Sequence, residues 1–410
     1  MSSLTTSEAG QAASARRKKR LAAFLFVVPL LLFIIVTFVA PIGTMLWRSV
    51  HHPTVAELIP LTLAELERWD DHKQLPDEKT LQVFVKELHG LNEQRLSGKL
   101  SEEFNRAYAG MSSVVKSSAR RIGRLDAQKL EAQGIKTLLD AHRNWSKPEL
   151  WYAIERAGKV YTYDYYLTAL DLELHPDEGI QVRQDTQIYL QLYTKTLNMA
   201  LVITLLCALL GYPLAYYLAG LPSNRANLLL VLVLLPFWTS LLVRTTSWIA
   251  LLQTNGVINS FLMGIGLIGQ PFEMLYTSFA TVAAMTHILL PFMILPLYSV
   301  MKSVPPTYLR AAVSLGSSPI AAFFRVYVPQ TYPGIGAGAL LVFILAIGYY
   351  VTPALLGGAD DQMLSYYIAR YTNVEVNWGM ACALGALLLA ATLLLYGVYR
   401  RIGKAELSLG

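Results

Sequence analysis

Apolar and polar positions along this chain follow two different patterns. Uncharged runs fill Leu21–Trp47, Thr196–Asn224, Ala226–Val243, Thr245–Phe272, Met274–Met301, Val326–Ala359 and Val376–Tyr399. A helix rises about 1.5 Å per residue, so about 20 apolar residues cross a hydrocarbon core of about 30 Å. The runs therefore predict an all-α polytopic membrane protein with six transmembrane helices, at about 21–47, 196–219, 226–251, 275–300, 334–355 and 378–399. The Thr245–Phe272 run weakens in its later half, where Asn255-Gly256, Asn259, Gly264, Gly266, Gly269 and Pro271 disfavour a regular helix. It is expected to end the third span and continue as an interfacial or re-entrant segment. The predicted organisation is a tail (1–20), a first span (21–47), an insertion (48–192), a transmembrane domain (193–401) enclosing a loop at 301–333, and a second tail (402–410).

The insertion has the periodicity of a water-soluble helical domain. Leu81, Phe84, Val85 and Leu88 recur at helical spacing and predict a stripe that must be buried as core. Thr62-Leu-Ala-Glu65 and Ser146-Lys-Pro-Glu149 match the capping box and predict helix starts. Trp145, Trp151, Tyr152, Tyr161, Tyr163, Tyr165 and Tyr166 cluster before the second span. Ring faces bind cations, but a belt at the membrane surface or the insertion's own core is the simpler expectation.

Composition sharpens this division. Of 62 charged side chains in 410 residues, 41 lie between Arg48 and Leu192. The whole chain is 54% hydrophobic and 15% charged, against about 25% charged for an average soluble domain. A single soluble enzyme domain is excluded. The net charge of +6 does not imply nucleic acid, because Arg16–Arg20 immediately precedes the first apolar run and acts there as a topogenic anchor. That run is too long for a signal-peptide core, and Pro41-Ile-Gly43 is a poor cleavage site, so it is expected to remain as a helix.

With six spans, both tails, the 220–225 turn and the 301–333 loop share one side, which holds twelve basic residues and only Glu8 and Glu406 as acids. The positive-inside rule makes that side cytoplasmic and the 48–192 insertion external. Cys207 and Cys382 lie in apolar runs and are expected as packed side chains rather than a disulfide.

No catalytic constellation appears. Gly98-Lys99, Gly158-Lys159 and Gly403-Lys404 lack the rest of a phosphate-binding loop, and no His-Glu-x-x-His occurs. His51 and His52 are adjacent and should face apart; Asp360-Asp361 lacks acid/base spacing. Polar groups inside apolar runs mark pathways by default. Arg244 either orients a gate, pairs with an acid or snorkels to the interface. His287, near the helix-kinking Pro291 and Pro296, is expected as a packed, hydrogen-bonded side chain rather than a proton relay.

The 301–333 loop is the most informative segment. Pro305-Pro306 should open one short helix and Gly316 should end it in a left-handed turn. Ser317 or Ser318 should then cap a second helix with Pro319 in its first turn. Leu309, Ala312 and Leu315 on one exposed face invite a soluble partner. Arg310-Ala311-Ala312, three residues, Gly316, nine residues, then Val326-x-Val328-Pro329 resembles the EAA loop of bacterial ABC importer permeases. That pattern is Glu-Ala-Ala, three residues, Gly, nine residues, Ile-x-Leu-Pro. Pro236-Phe-Trp-Thr-Ser240, Asn255-Gly-Val-Ile-Asn259, Leu290-Pro-Phe-Met293 and Tyr350-Val-Thr-Pro-Ala-Leu-Leu-Gly-Gly358 resemble the spermidine/putrescine-type permeases.

The resemblance implies a permease subunit in a bacterial inner membrane that takes up a small organic cation, a polyamine first, by alternating access. It implies no cofactor in this chain; ATP and Mg belong to a cytoplasmic ATPase dimer. A second permease chain and a periplasmic substrate-binding protein complete the machine. Ala311, Ala312, Gly316 and Pro329 would form the docking loop for the ATPase, with Arg310 at the matching position but of reversed charge. Tyr349, Tyr350, Thr352 and Arg244 are candidates for the path or gate, with Glu273 and Asp360 as external cation attractors. The alternatives are a permease for an opine or amino-acid-like solute, or an ATP-independent secondary transporter. The family normally connects its first two spans by a much shorter segment, so 48–192 inherits no role.

Overall fold

A computed structural model describes residues 24–175, 179–183 and 187–407, with the side chains of His175 and of residues 402–407 left aside. The basic run Arg16–Arg20 and the start of the first span at 21–23 lie outside the described residues. The chain forms two compact units, Met1–Tyr165 and Tyr166–Gly410.

The first unit begins with the helix Phe24–Arg48, an apolar span with none of its most hydrophobic window buried by protein. Beyond it, His52 N–H donates to the Val160 carbonyl (2.7 Å) and Thr162 N–H to the Val50 carbonyl (3.0 Å). His51 and Tyr161 thereby form an antiparallel bridge, and the chain from 53 to 159 is a domain whose two ends meet in one stem. Trp47 stacks on His51 (5.0 Å) and meets Tyr161 edge-on (5.6 Å), whereas His52 packs against Tyr165 (4.6 Å). The adjacent histidines do face different partners. Burial lowers the pKa of His52, and the guanidinium of Arg106 acts on it in the same direction.

Helices Thr54–Leu58, Pro60–Leu66, Glu78–Glu93, Ser97–Ala107, Met111–Ile122, Ala127–Leu139 and Pro148–Ala157 make up the domain. The predicted stripe is core: Leu81, Phe84, Val85 and Leu88 are all buried. Phe84 touches Phe104 (6.1 Å), Trp145 and Trp151 (both 5.2 Å). Each indole finds an acceptor, Ser118 Oγ at 2.9 Å for Trp145 and the Trp145 carbonyl at 3.0 Å for Trp151, which removes the cost of burying an N–H. The aromatic cluster thus divides: both tryptophans are core, while Tyr161 and Tyr163 are exposed.

Both capping boxes fail. The helices start at Pro60 and Pro148, so Thr62 lies inside its helix and Ser146 belongs to a preceding 3-10 turn. Proline lacks an N–H and fits the first helical position, which fixes both starts away from the expected caps. The free N–H groups of Leu61 and Thr62 instead donate to the Glu87 carboxylate at 2.9 Å, on another helix. Side-chain caps come from Asp77, which accepts from Thr80 N–H, and Asp126, which accepts from Lys129 N–H, both at 2.9 Å.

The second unit opens with an antiparallel hairpin, Leu172–His175 with Gly179–Val182. Before it, the buried Asp171 accepts from the N–H groups of Ile188, Tyr189 and Leu190. One carboxylate therefore satisfies the start of the long helix Tyr189–Gly220. Tyr189–Gly220, Ser278–Ser303 and Tyr332–Gly348 pack around one apolar core. Small residues bring the backbones together: a Cβ on Gly211 would lie 3.1 Å from Met293 Cγ, and one on Gly338 2.7 Å from Met293 Sδ. Met293 is thus wedged between two glycines on two other helices. Ser278–Ser303 runs as one element through Pro291 and Pro296.

Among the described residues four helices are long and apolar enough to cross a membrane, and six crossings result if each of two bent pairs counts once. The bent pairs are the departure from expectation. The third span, expected as regular over 226–251, turns by 94° between Trp238 and Leu241, and Pro319–Gln330 meets Tyr332–Gly348 at 60°. The fifth, expected over 334–355, also ends at Gly348, and a separate short helix runs Val351–Leu356. The weak half of Thr245–Phe272 is a short helix, Val257–Gly264, followed by irregular chain. Buried Asn259 holds that chain in place, donating to the Thr254 and Phe272 carbonyls and accepting from Phe272 N–H.

Candidate coupling loop and membrane-embedded polar cluster

The loop after Ser278–Ser303 is built by its turn chemistry. Val304 and Pro305 are extended, and Pro306 opens the helix Pro306–Ser314. Ser317 N–H donates to the Ala312 carbonyl (3.1 Å) and Gly316 N–H to the Val313 carbonyl (3.0 Å). This pair of bonds is the Schellman closure, which needs a left-handed residue. Gly316 supplies it with φ +93, and open space surrounds the position. Conformation, and not crowding, therefore demands glycine. Ser318 rather than Ser317 caps the next helix, its Oγ accepting from Ala321 N–H at 3.3 Å, with Pro319 at the first position. A π-turn, Phe323–Tyr327, carries the chain to Pro329.

The loop shows apolar side chains outward. Leu315 is 89% exposed and Ile320 73%, with Tyr308, Val313 and Phe324 also exposed. Arg310, Ala311, Gly316 and Pro329 are exposed, and Ala312 and Leu309 half-buried. Arg310 makes no ion pair among the described residues. On the other side of the loop, Tyr216 meets Phe323 (5.2 Å) and Tyr327 (5.3 Å) edge-on, and Tyr212 Oη lies 3.1 Å from Thr331 Oγ1. These contacts seat the loop on the long helix Tyr189–Gly220.

The second candidate region lies where the third span breaks. Leu235–Trp238 is a 3-10 turn containing Pro236, Thr239 is extended, and Ser240 Oγ caps Leu241–Leu252 by accepting from Val243 N–H. The restart puts Arg244 in the first turn of the new helix, where the helix dipole opposes a cation. Its guanidinium sits 5.7 Å from the Phe237 ring centre, an attraction that partly offsets this. Arg244 Nε is buried without a hydrogen-bond partner among the described residues. Phe237 also packs edge-on to Phe292 at 4.9 Å.

One turn later, Trp248 Nε1 donates to His287 Nδ1 at 3.3 Å. His287 is hydrogen-bonded as expected, yet exposed rather than packed away. Thr352 is fully buried, its Oγ1 3.4 Å from Thr245 Oγ1. Tyr349 is half-buried against the three-helix core and Tyr350 is exposed. The structure thus gathers Arg244, Thr352 and Tyr349 around one break. It leaves Glu273 and Asp360 apart from them, exposed on two other loops. Those loops are tied together, Tyr276 N–H to the Leu356 carbonyl at 2.9 Å and Ser278 to Asp361. Lys195 already donates to the Asp360 carbonyl. Sequence reasoning overlooked Phe237 and Trp248 as neighbours of Arg244. The signal was present in Pro236-Phe-Trp-Thr-Ser240, since a proline with a following Thr-Ser breaks and recaps a helix.

A membrane unit with an exposed apolar loop locked between two spans, and a polar cluster at broken helices, has the parts of a solute permease. Residues 209–406 match the family described as binding-protein-dependent transport system inner membrane component. The chain is 36% identical over 246 residues to the spermidine/putrescine transport system permease protein PotB of Escherichia coli (strain K12), covering 60% of this chain and 84% of that protein. It is 37% identical over 219 residues to PotB of Haemophilus influenzae (strain ATCC 51907 / DSM 11121 / KW20 / Rd), covering 53% and 76%. A bacterial alginate ABC transporter, solved with an alginate pentasaccharide-bound periplasmic protein, aligns with TM-score 0.45 and 18% identity over 54% of this chain and 80% of that one. This chain belongs to the binding-protein-dependent permease family and is the membrane-embedded permease subunit of an ABC importer. The family match begins at 209, so the 53–159 domain lies outside it.

Proposed function

We propose that this chain imports a polyamine, putrescine or spermidine, as one of two permease chains driven by a cytoplasmic ATPase dimer. The single observation that carries the substrate class is the 36% identity to PotB across 84% of that protein's length. The exposed apolar loop supports the coupling role. Leu315 and Ile320 are mostly exposed, and covering such side chains by a partner is favourable by about 25 cal/mol per Å². Arg310, Ala311, Ala312, Gly316 and Pro329 form the ATPase-facing side, with Mg and ATP held by that partner. Arg244, Tyr349, Tyr350 and Thr352 form the path or gate, and Glu273 and Asp360 draw cations from outside. Both termini are cytoplasmic, and the 48–192 insertion is periplasmic, where it extends the surface met by the substrate-binding protein.

The test is radiolabelled putrescine uptake into proteoliposomes holding the complete transporter. Uptake should require ATP and the binding protein, and Leu315→Asp with Ile320→Asp should abolish it without loss of membrane insertion. Uptake by this chain without any ATPase would establish a secondary transporter instead. Normal uptake after deletion of 55–185 in a correctly inserted protein would remove the insertion's docking role. Labelling of Ser113→Cys by an impermeant thiol reagent in intact cells with a permeabilised outer membrane checks its placement.

A further inference from the structure

The loop joining Pro60–Leu66 to Glu78–Glu93 brings a second group of rings together in the 53–159 domain. His72, on that loop, contacts the rings of both Trp69 and Tyr152, with centres 4.7 and 5.1 Å away and steep interplanar angles of 67° and 76°. Its Nε2 is 3.1 Å from Glu155 Oε2. Tyr152 and Glu155 stand three residues apart on Pro148–Ala157, so they share one helix face. Trp151 and Ile154 of the same helix are core. Two rings and a carboxylate therefore converge on one imidazole.

The domain's core is not built this way. Trp145 and Trp151 pair their indole N–H groups, whereas Trp69 Nε1 is shielded from water without a hydrogen-bond partner among the described residues. A purely structural tryptophan avoids that cost. The His72 side chain is 32% exposed and that of Glu155 18%, so solvent reaches both. Local bonds close the loop tip, Gln74 N–H to the Asp71 carbonyl and Lys73 N–H to Asp71 Oδ1, both 3.1 Å. Glu67, Asp70 and Asp71 are exposed on the loop and raise the local concentration of cations. Ring faces attract cations, most strongly when desolvated, and a carboxylate adds a charge-assisted hydrogen bond. Tyr152 already draws one cation, the Arg156 guanidinium 5.9 Å from its ring centre, which Asp164 neutralises.

We infer that Trp69, Tyr152 and Glu155 form a binding cage for an alkylammonium cation, closed in this structure by His72, which the ligand displaces. The cage lies outside the 209–406 family match and is additional to the path for the imported solute. It stands independently of that solute's identity. On exchange the imidazole leaves with the loop tip for water, and the ammonium sets a full charge against Glu155. The plug lowers apparent affinity in proportion to the fraction of molecules in which the loop is open.

Calorimetric titration of the complete transporter in nanodiscs, without nucleotide or binding protein, tests the cage with tetramethylammonium and with putrescine as probes. Glu155→Gln should weaken binding about tenfold through loss of the carboxylate charge. His72→Ala should tighten it about fivefold by removing the plug. A merely structural His72–Glu155 pair predicts the opposite, since its loss would loosen the rings. Weaker or unchanged binding in His72→Ala overturns the inference, as does absence of binding in both the wild type and that variant. Equal binding in the wild type and Glu155→Gln overturns it too. Tetramethylammonium binding that follows both variants, beside absent putrescine uptake, supports the cage while overturning the polyamine assignment. Putrescine uptake with cation binding unmoved by either variant does the reverse.

Discussion

In the 53–159 domain Phe84, Trp145 and Trp151 are sealed inside while the opposite faces of their helices carry charge. In the membrane unit the helices are apolar on all sides, and Leu205, Leu209 and Leu228 stand exposed on the protein surface. The domain folds because water expels one face of each helix, so its core is made of large rings. In lipid that force is absent between helices, and close approach does the work: hence the wedge of Met293 between Gly211 and Gly338. Helix starts differ likewise. The domain uses Asp77 and Asp126 and the remote Glu87, whereas the membrane unit uses the hydroxyls of Ser240, Thr277 and Ser318, the amide of Asn377 before Trp378–Leu407, and Asp171 at its entrance.

Five substitutions, one of them a second-site rescue, test this contrast, in order of expected size. Phe84→Ala should cost about 3–5 kcal/mol and open the domain, seen as new protease cleavage within 53–159 while the transmembrane unit stays intact. Gly338→Val should cost about 1–3 kcal/mol through overpacking against Met293, read as a lower melting temperature in detergent. The further change Met293→Ala should restore part of that loss; no rescue would mean that the wedge is not what holds the three helices. Gly316→Ala should cost about 1–2 kcal/mol, since an L side chain is disfavoured at φ +93, and should lower ATP-coupled uptake more than protein level.

The smallest effect belongs to the domain's caps. Asp77→Ala should cost about 1 kcal/mol. The hydrogen bonds from Thr80 hold the Asp77 carboxyl below its ordinary pKa. Its contribution is therefore present above the unfolded carboxylate range and is lost as pH falls through the lowered folded value. Melting of the domain, followed from pH 7 down to pH 3, should lose less stability in Asp77→Ala than in the wild type.

Much of the candidate coupling loop was legible because its signals are local. Pro306, Gly316 and the Ser318-Pro319 pair each fix the backbone within a few residues, so spacing alone gave both short helices and the turn between them. The stripe from Leu81 to Leu88 was legible for the same reason. The caps at Thr62 and Ser146 misled because a neighbouring proline fixes the start of each helix. The acid that serves Thr62 is Glu87, 25 residues on, and no local motif encodes that distance. Arg244 was visible as an oddity, but its ring partner Phe237 needed the 94° break to bring it near.

By itself, the sequence determined that a charge-rich helical insertion interrupts an apolar helical membrane protein, because charge and hydrophobic length are additive along the chain and need no partner to be read. It also determined the turn chemistry of the 301–333 loop, which is a property of single residues. Only tertiary structure decided that the insertion closes on a stem at His51 and Tyr161. Only it decided that Met293 sits between glycines 82 residues before it and 45 after. Each of these depends on which distant segments meet, and that is set by packing and by the satisfaction of buried polar groups across the whole fold.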